Sequence, residues 1–261
     1  MKVVILCGGQ GTRLREETEY KPKPMVDIGG RPILWHIMKL YSYYGFREFI
    51  LCLGYKGHII RDYFLHYSYM YNDFTIHLGS GTTTCHSQHD EENWTVTLVD
   101  TGLETRKGRR VKLIEPYVDG QSFMLTYGDG LSDVDPRALA AFHQAHGKIA
   151  TFIGVQPRSR WATVDLDPDG DVKGWKEKQQ LHSYINGGYF VMDRRIFSYL
   201  EGDQELEEEP METLAAQGQV AMYPHNGFWE CMDTYRDYTF LNKLWQQGEA
   251  PWAVWQPHVG T

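Results

Sequence analysis

Cysteine is scarce in this chain and never paired at a metal-binding spacing: Cys7, Cys52, Cys85 and Cys231 lie scattered through 261 residues. That excludes a zinc ribbon and a disulfide-stapled miniature fold. Cys7 and Cys52, inside apolar runs, read as small reduced hydrophobes. Positive charge is not in excess either. The 26 lysines and arginines face 34 aspartates and glutamates, for a net charge of −8. Neither nucleic acid nor an anionic membrane is therefore an expected partner, and any anionic ligand has to be met by a local basic cluster. Long hydrophobic runs are missing. The opening run, Val3 to Leu6, stops at Gly8-Gly9, too soon for a signal-peptide core or a membrane span, and a cytoplasmic location is expected. No repeat or linker-like stretch interrupts the chain, and 26 glycines with 11 prolines fall short of a low-complexity composition. What is present is 42% hydrophobic and 14% aromatic, enough to bury a large core.

Strand and helix signals alternate. Val3 to Leu6 is short, apolar and β-branched, which predicts a buried strand feeding a loop. Pro32 stands at a helix start, and Ile33, Leu34, Ile37, Met38, Tyr41 and Tyr44 recur at helical spacing until Gly45. Phe49 to Leu53 reads as a second strand, Ile59, Ile60, Tyr63 and Phe64 as a helix face, and Thr95 to Val99 and Phe123 to Tyr127 as further strands. Pro136 to His146 is an expected helix that Asp135 caps. Ile149 to Val155 continues the sheet. Thr163 to Leu166, the turn Asp167-Pro168-Asp169-Gly170 and Val172 to Trp175 predict a hairpin, and Thr234 to Gln247 a packing helix. The pattern predicts an α/β fold, with a doubly wound, mostly parallel sheet and a small β-rich insertion.

Gly8-Gly9-Gln10-Gly11-Thr12-Arg13 follows the first strand directly, where α/β proteins turn backbone N–H groups toward phosphate. A Walker A loop needs Gly-Lys-Ser/Thr where Arg13-Leu14 stands. The dinucleotide fingerprint needs glycine or alanine at Leu14. What is left is a glycine loop with its own planar cation, Arg13, a pattern that an ordinary tight turn fits as well. Lys21-Pro22-Lys23-Pro24 shifts the balance, because two prolines restrict the backbone around both lysines and can aim an exposed lysine at a point. Asp129, between Gly128 and Gly130 just past an apolar strand, lies where open α/β sheets place ligand chemistry.

These residues carry a likeness. Val3 through Leu34, Val99-Asp100-Thr101-Gly102, Thr126-Tyr127-Gly128-Asp129-Gly130, Asn186-Gly187-Gly188 and Met232-Asp233-Thr234 resemble the sugar-phosphate nucleotidyltransferases over nearly the whole chain. Within that family the Trp35-His36 helix and Thr126 to Gly130 look most like the branch that transfers cytidylyl groups to glucose 1-phosphate. The resemblance implies a Rossmann-like nucleotidyltransferase domain spanning 1–261. About 1–130 would be its nucleotide-binding half and about 131–261 its sugar-binding and C-terminal helical part.

It also implies site residues. Arg13, Lys23 and Asp129 would be catalytic, and Asp129 and Asp233 would hold Mg²⁺. Leu6, Cys7, Gly8, Gly9, Gly11, Thr12, Arg13 and Lys23 would contact the nucleotide, joined by Thr101, Gly102, Arg110 and Gly128. Trp161, Ala162, Glu177, Lys178, Asn186, Gly187 and Gly188 would hold the sugar phosphate. The implied reaction joins CTP to a sugar 1-phosphate, glucose 1-phosphate first, with release of pyrophosphate. Another phosphorylated sugar or small phosphorylated metabolite stays open as acceptor. The implied assembly is a homo-oligomer.

The match departs from the family at Gln179, where a proline is usual after Glu-Lys, and at Trp161-Ala162, where an aromatic residue is usually followed by glycine. Asp133-Val134-Asp135 imitates the metal motif of glycosyltransferases, which keeps such an enzyme open as an alternative, alongside a non-catalytic sugar-nucleotide binder. Asp135-Pro136 nevertheless suits a helix cap better. The run Glu205 to Glu209 reads as a solvated acidic helix entrance, and Tyr63, Phe64, Tyr67, Tyr69 and Tyr71 as packing or subunit contacts.

Overall fold

The computed structural model describes residues 1–9, 11–86, 93–157, 159, 161–177, 179–180 and 183–256. Seven strands form its central sheet: β1 (Val3–Leu6), β2 (Glu48–Leu53), β3 (Thr95–Asp100), β4 (Ser122–Tyr127), β5 (Ala150–Val155), β6 (Ile185–Asp193) and β7 (Val220–Pro224). They lie in the order β7-β5-β6-β4-β1-β2-β3. The pairs β3–β2, β2–β1, β1–β4 and β5–β7 are parallel. Strand β6 runs against both of its neighbours.

β1 shows why an unbroken apolar run makes a central strand. Successive side chains point to opposite faces, so Val3 and Ile5 join one core and Val4 and Leu6 the other. Both faces are covered, as a parallel sheet requires. Each such side chain contributes about 1.5–3 kcal/mol by leaving water.

Helices α1 (Ile33–Tyr43), α2 (Gly57–Leu65), α3 (Lys107–Leu113), α4 (Pro136–His146), α5 (Glu209–Ala216) and α6 (Tyr235–Gln246) surround the sheet. Asp135 caps α4 by accepting from Arg137 N at 2.8 Å, as its sequence predicts. α1 is buried well beyond its expected apolar stripe, because Trp245, Trp252 and Trp255 of the C-terminal segment pack around Trp35 and His36. The turn Asp167–Gly170 closes an exposed antiparallel hairpin between Thr163–Leu166 and Val172–Lys176.

One expectation is corrected here. Of the acidic run, Glu208 and Glu209 are exposed, but Glu205 and Glu207 turn inward and are half-buried. Lys107 draws them in, with its Nζ 2.5 Å from Glu207 and 3.7 Å from Glu205. The Tyr127 hydroxyl also donates to Glu207.

Candidate functional site

At the carboxyl end of β1 the chain enters a loop over 7–11, and a short 3-10 turn, Thr12–Leu14, follows. Leu14, standing where a dinucleotide-binding loop would need glycine, is fully buried and anchors the turn in the core. Gly11 has φ +62°, and a Cβ there would lie 3.0 Å from Thr18 and 3.1 Å from the Lys23 Cβ. The loop therefore needs glycine both for its backbone and for the space Lys23 occupies.

Pro22 holds extended backbone (φ −69°, ψ 152°) ahead of a single 3-10 turn, Lys23–Met25. This is the restriction the two prolines predict. It aims Lys23 inward, however, and the residue is only 9% exposed, which corrects the expectation of an exposed lysine. Neighbouring Lys21 turns away and pairs with Asp27 at 2.6 Å.

The two distant aspartates arrive by separate routes. Strand β4 ends at Tyr127 and delivers Asp129 one residue beyond Gly128, whose N–H donates to Leu6 O. Gly130–Ser132 then pairs with Trp229–Cys231, and Met232 N donates to Asp129 O at 2.9 Å. That ribbon brings Asp233 alongside Asp129. Asp233 immediately precedes the α6 capping box, in which Thr234 accepts from Asp237 N while Asp237 Oδ2 accepts from the backbone N–H groups of Asp233 and Thr234. Asp233 is thus fixed by a helix start.

The charged groups meet. Lys23 Nζ donates to Asp129 Oδ2 and to Asp233 Oδ1, each at 2.6 Å, and Arg13 Nη1 donates to Asp233 Oδ2 at 2.9 Å. Burial pulls the Lys23 pKa down, but attraction to Asp129 and the hydrogen bonds to both carboxylates outweigh it, so the ammonium is held above its ordinary value. Burial pushes the Cys231 thiol up, with Asp129 adding to the effect. An oxygen of Asp129, an oxygen of Asp233 and Cys231 Sγ lie within 4.8 Å of one another. A lysine ammonium seated between two carboxylates shows that this donor set stabilises a cation, and paired carboxylates suit a hard divalent ion.

A cavity of about 580 Å³ opens on this cluster. Leu6, Gly8, Gly9, Gly11, Thr12 and Arg13 line it, with Lys23, Arg110, Gly128, Asp129 and Asp233. Cys7, Thr101 and Gly102 lie behind that wall. Cys7 is buried in the core, and Thr101 Oγ1 donates to Leu53 O at 2.6 Å. Arg110 ties this region together: its guanidinium donates to Thr101 Oγ1, to Gly102 O and Leu53 O, and to Gly8 O and Leu103 O.

Arg13, Lys23, Arg106, Lys107 and Arg110 supply the local basic cluster that the acidic composition demands. Sequence reasoning missed Tyr127, Lys107, Glu205 and Cys231, which also line the cavity. Tyr127 lies inside the motif Thr126 to Gly130 and Cys231 directly before Met232-Asp233-Thr234, whereas Glu205 belongs to a run read as solvated and Lys107 carried no local signal.

The sugar-side residues are placed less uniformly. Asn186 Nδ2 donates to the Tyr127 hydroxyl at 3.2 Å, and its Oδ1 accepts from Gly188 N at 2.8 Å. Gly187 O accepts from Trp229 Nε1. Gly188 has φ +78°, and a Cβ on it would lie 2.6 Å from the Tyr127 ring. Asn186 and Gly188 therefore stand against Tyr127, which lines the cavity, but neither they nor Gly187 line it themselves. Trp161 is 68% exposed, Ala162 is half-buried, and Glu177 is exposed and accepts from Trp175 Nε1. None of the three lines the cavity. Lys178 lies outside the described residues. Gln179, in the usual place of proline, accepts from Ser159 N through its backbone and from the Thr163 hydroxyl through its side chain.

The glycosyltransferase motif has other work. Asp135 caps α4, and Asp133 lies 3.0 Å from His225 Nε2.

The nucleotidyl transferase family matches residues 2–245. A glucose-1-phosphate cytidylyltransferase of Salmonella typhi is 46% identical over 259 residues, covering 98% of this chain and all of that protein. A probable glucose-1-phosphate cytidylyltransferase of Bacillus subtilis is 44% identical over 257 residues, again covering 98% of this chain and all of the relative. In shape the chain is similar to HddC from Yersinia pseudotuberculosis, with a TM-score of 0.69 over 94% of this chain and 99% of that one. At 22% identity that likeness speaks for the fold alone. The chain belongs to the nucleotidyl transferase family.

Proposed function

We propose that this enzyme transfers the cytidylyl group of CTP to glucose 1-phosphate, giving CDP-glucose and pyrophosphate. The meeting of Lys23, Asp129, Asp233 and Arg13 beside the glycine loop carries the reading. Relatives named for this reaction, 44–46% identical over nearly the full length, supply its substrates.

The reaction brings an oxygen of the sugar phosphate onto the α-phosphorus of CTP as the bond to pyrophosphate breaks. A phosphate monoester loses its second proton near pH ~6, so at neutral pH the nucleophile is mostly a dianion and needs no general base. Among the described residues no histidine lines the cavity. Crowded negative charge is the obstacle, and positioning with neutralisation is the remedy.

We assign the backbone N–H groups of Gly8, Gly9, Gly11 and Thr12 to the nucleotide phosphates and Arg13 to the departing pyrophosphate. Lys23 exchanges its carboxylate partners for oxygens of the α-phosphate and the attacking phosphate. Leu6, Cys7, Gly128, Thr101, Gly102 and Arg110 form the nucleoside side, where backbone carbonyls fixed by Arg110 offer acceptors to the cytosine amino group. Asn186, Gly187 and Gly188 are assigned to the sugar, with Trp161, Ala162, Glu177 and Lys178 on the adjoining loop.

Enzymes of this family generally use a divalent metal. Asp129 and Asp233 would hold Mg²⁺, which when bound supplies positive charge to the phosphate oxygens. The reading also takes 1–261 as one domain, working in the cytoplasm as a homo-oligomer. No described helix is long and apolar enough to cross a membrane.

A pyrophosphate-release screen of each nucleoside triphosphate against a panel of phosphorylated acceptors tests the proposal. CTP with glucose 1-phosphate is expected to give the highest kcat/KM. Equal rates with every nucleotide, or release of a nucleoside diphosphate instead, would reject it. Trp161→Phe with Ala162→Gly restores the family's usual pair, and is expected to raise the preference for glucose 1-phosphate over other hexose 1-phosphates by roughly tenfold, the scale of one apolar contact. An unchanged acceptor ratio would remove these positions from acceptor choice.

A further inference from the structure

Cys231 stands at the carboxylate pair. The ribbon places it opposite Gly130, one residue past Asp129, and two residues before Asp233. Between Cys231 and Asp233, the Met232 side chain is fully buried, and both flanking residues line the cavity. Sγ and the two carboxylate oxygens fall within a 4.8 Å span. One ion with ligand distances of about 2.0–2.3 Å would take all three once each donor draws inward by about half an ångström or less. The Lys23 ammonium, 2.6 Å from each carboxylate, shows that positive charge is stabilised by this pair.

We propose that Cys231 adds a sulfur donor to this centre, so that Asp129, Cys231 and Asp233 together take Zn²⁺ or another thiophilic divalent ion in competition with Mg²⁺. The inference rests on reading Asp129 and Asp233 as the metal pair. Magnesium is a hard ion and gains nothing from sulfur, whereas zinc, cobalt and cadmium do. On binding, the S–H bond breaks, a sulfur–metal bond forms and the proton passes to solvent. The ion displaces the Lys23 ammonium, which then faces the cavity without its carboxylate partners. Sulfur thus makes the site sensitive to trace thiophilic metal, which would hold Asp129 and Asp233 away from catalysis.

Cobalt reports thiolate ligation by absorption. Titration of the intact chain with Co²⁺ is expected to give a near-ultraviolet sulfur-to-cobalt charge-transfer band, which Zn²⁺ abolishes by displacement. The band is expected to persist in Cys85→Ser and to vanish in Cys231→Ser, with Zn²⁺ affinity in the latter weakened about tenfold or more. Cys231→Ala gives the same readout if the serine variant does not fold. No band in the parent protein, or a band surviving loss of Cys231, overturns the proposal. Mn²⁺ binding in the presence of CTP, followed by electron paramagnetic resonance, separates the two readings. If Mn²⁺ binds and Asp233→Asn weakens it, but cobalt shows no sulfur band, the cysteine proposal alone fails. If Mn²⁺ does not bind either, the assignment of the carboxylates fails with it.

Discussion

Turnover of Lys23→Ala is expected to fall on the order of 10²–10³-fold, the cost of removing one fixed charge from a site where reacting groups are stabilised electrostatically. The loss should appear in kcat as well as kcat/KM, because Lys23 is assigned to charge that builds up during transfer. The fold should suffer far less. Asp233 keeps Arg13, and both carboxylates retain about a quarter of their side-chain exposure, so water or a cation can compensate them. A destabilisation of about 2 kcal/mol or less corresponds to a melting midpoint lowered by no more than about 8 °C in a chain of this size. Pyrophosphate release measured beside a thermal melt checks both halves. Near-normal turnover would remove Lys23 from the mechanism, and a collapsed melt would make it a structural residue instead.

Acid is expected to unfold the protein through its buried histidines. His36 is fully buried, its Nε2 pairs with Ile28 O at 2.9 Å, and its Nδ1 accepts from Trp252 Nε1 at 3.3 Å. Those partners suit a neutral ring, and burial pushes the pKa down to about 4. His143, 3% exposed and 2.8 Å from Thr151 Oγ1, is likewise pushed down to about 4 by burial, with His146 adding to the effect.

The unfolded chain takes up these protons near pH ~6.5 and the folded chain only near 4. The stabilisation is therefore complete above pH ~6.5 and is lost as pH falls toward 4. Each histidine accounts for a loss of about 2 kcal/mol by pH 5. Denaturant unfolding at pH 7.5 and pH 5 measures the loss. His36→Gln keeps a donor and an acceptor without a titrating ring, and should reduce the loss between the two pH values by about 2 kcal/mol. An unchanged loss in that variant would assign the acid sensitivity to other groups.

The legible parts of the fold were those in which a local rule and the tertiary environment agree. Val3 to Leu6 could only be a two-sided buried strand, and Asp135-Pro136 a helix start, and both are found as such. The direction of β6 was not legible, because apolar strand residues look alike whether they pair parallel or antiparallel.

Within the candidate site, Lys23, Asp129 and Asp233 were found through motifs, and their convergence is a matter of coordinates. Lys23 was expected to be exposed because lysines usually are, yet two carboxylates from distant parts of the chain compensate its burial. Glu205 and Glu207 were misread for the same reason, since their partner Lys107 lies about a hundred residues earlier. Nothing around Cys231 in the sequence marks it as a neighbour of Asp129; the ribbon does.

The reversed strand has a further effect on how the molecule can diversify. Because β6 is antiparallel, its entrance rather than its exit lies beside the carboxyl end of β4, with Tyr189 opposite Thr126 and Asn186 within reach of Tyr127. The excursion over 156–184 between β5 and β6 can then lengthen, shorten or change shape while the ladder on either side keeps its register. Loop closure adds only about 0.6 kcal/mol for each doubling of length. On the proposed reading, new acceptors can be accommodated by remodelling one excursion, while the half of the sheet assigned to the triphosphate stays as it is.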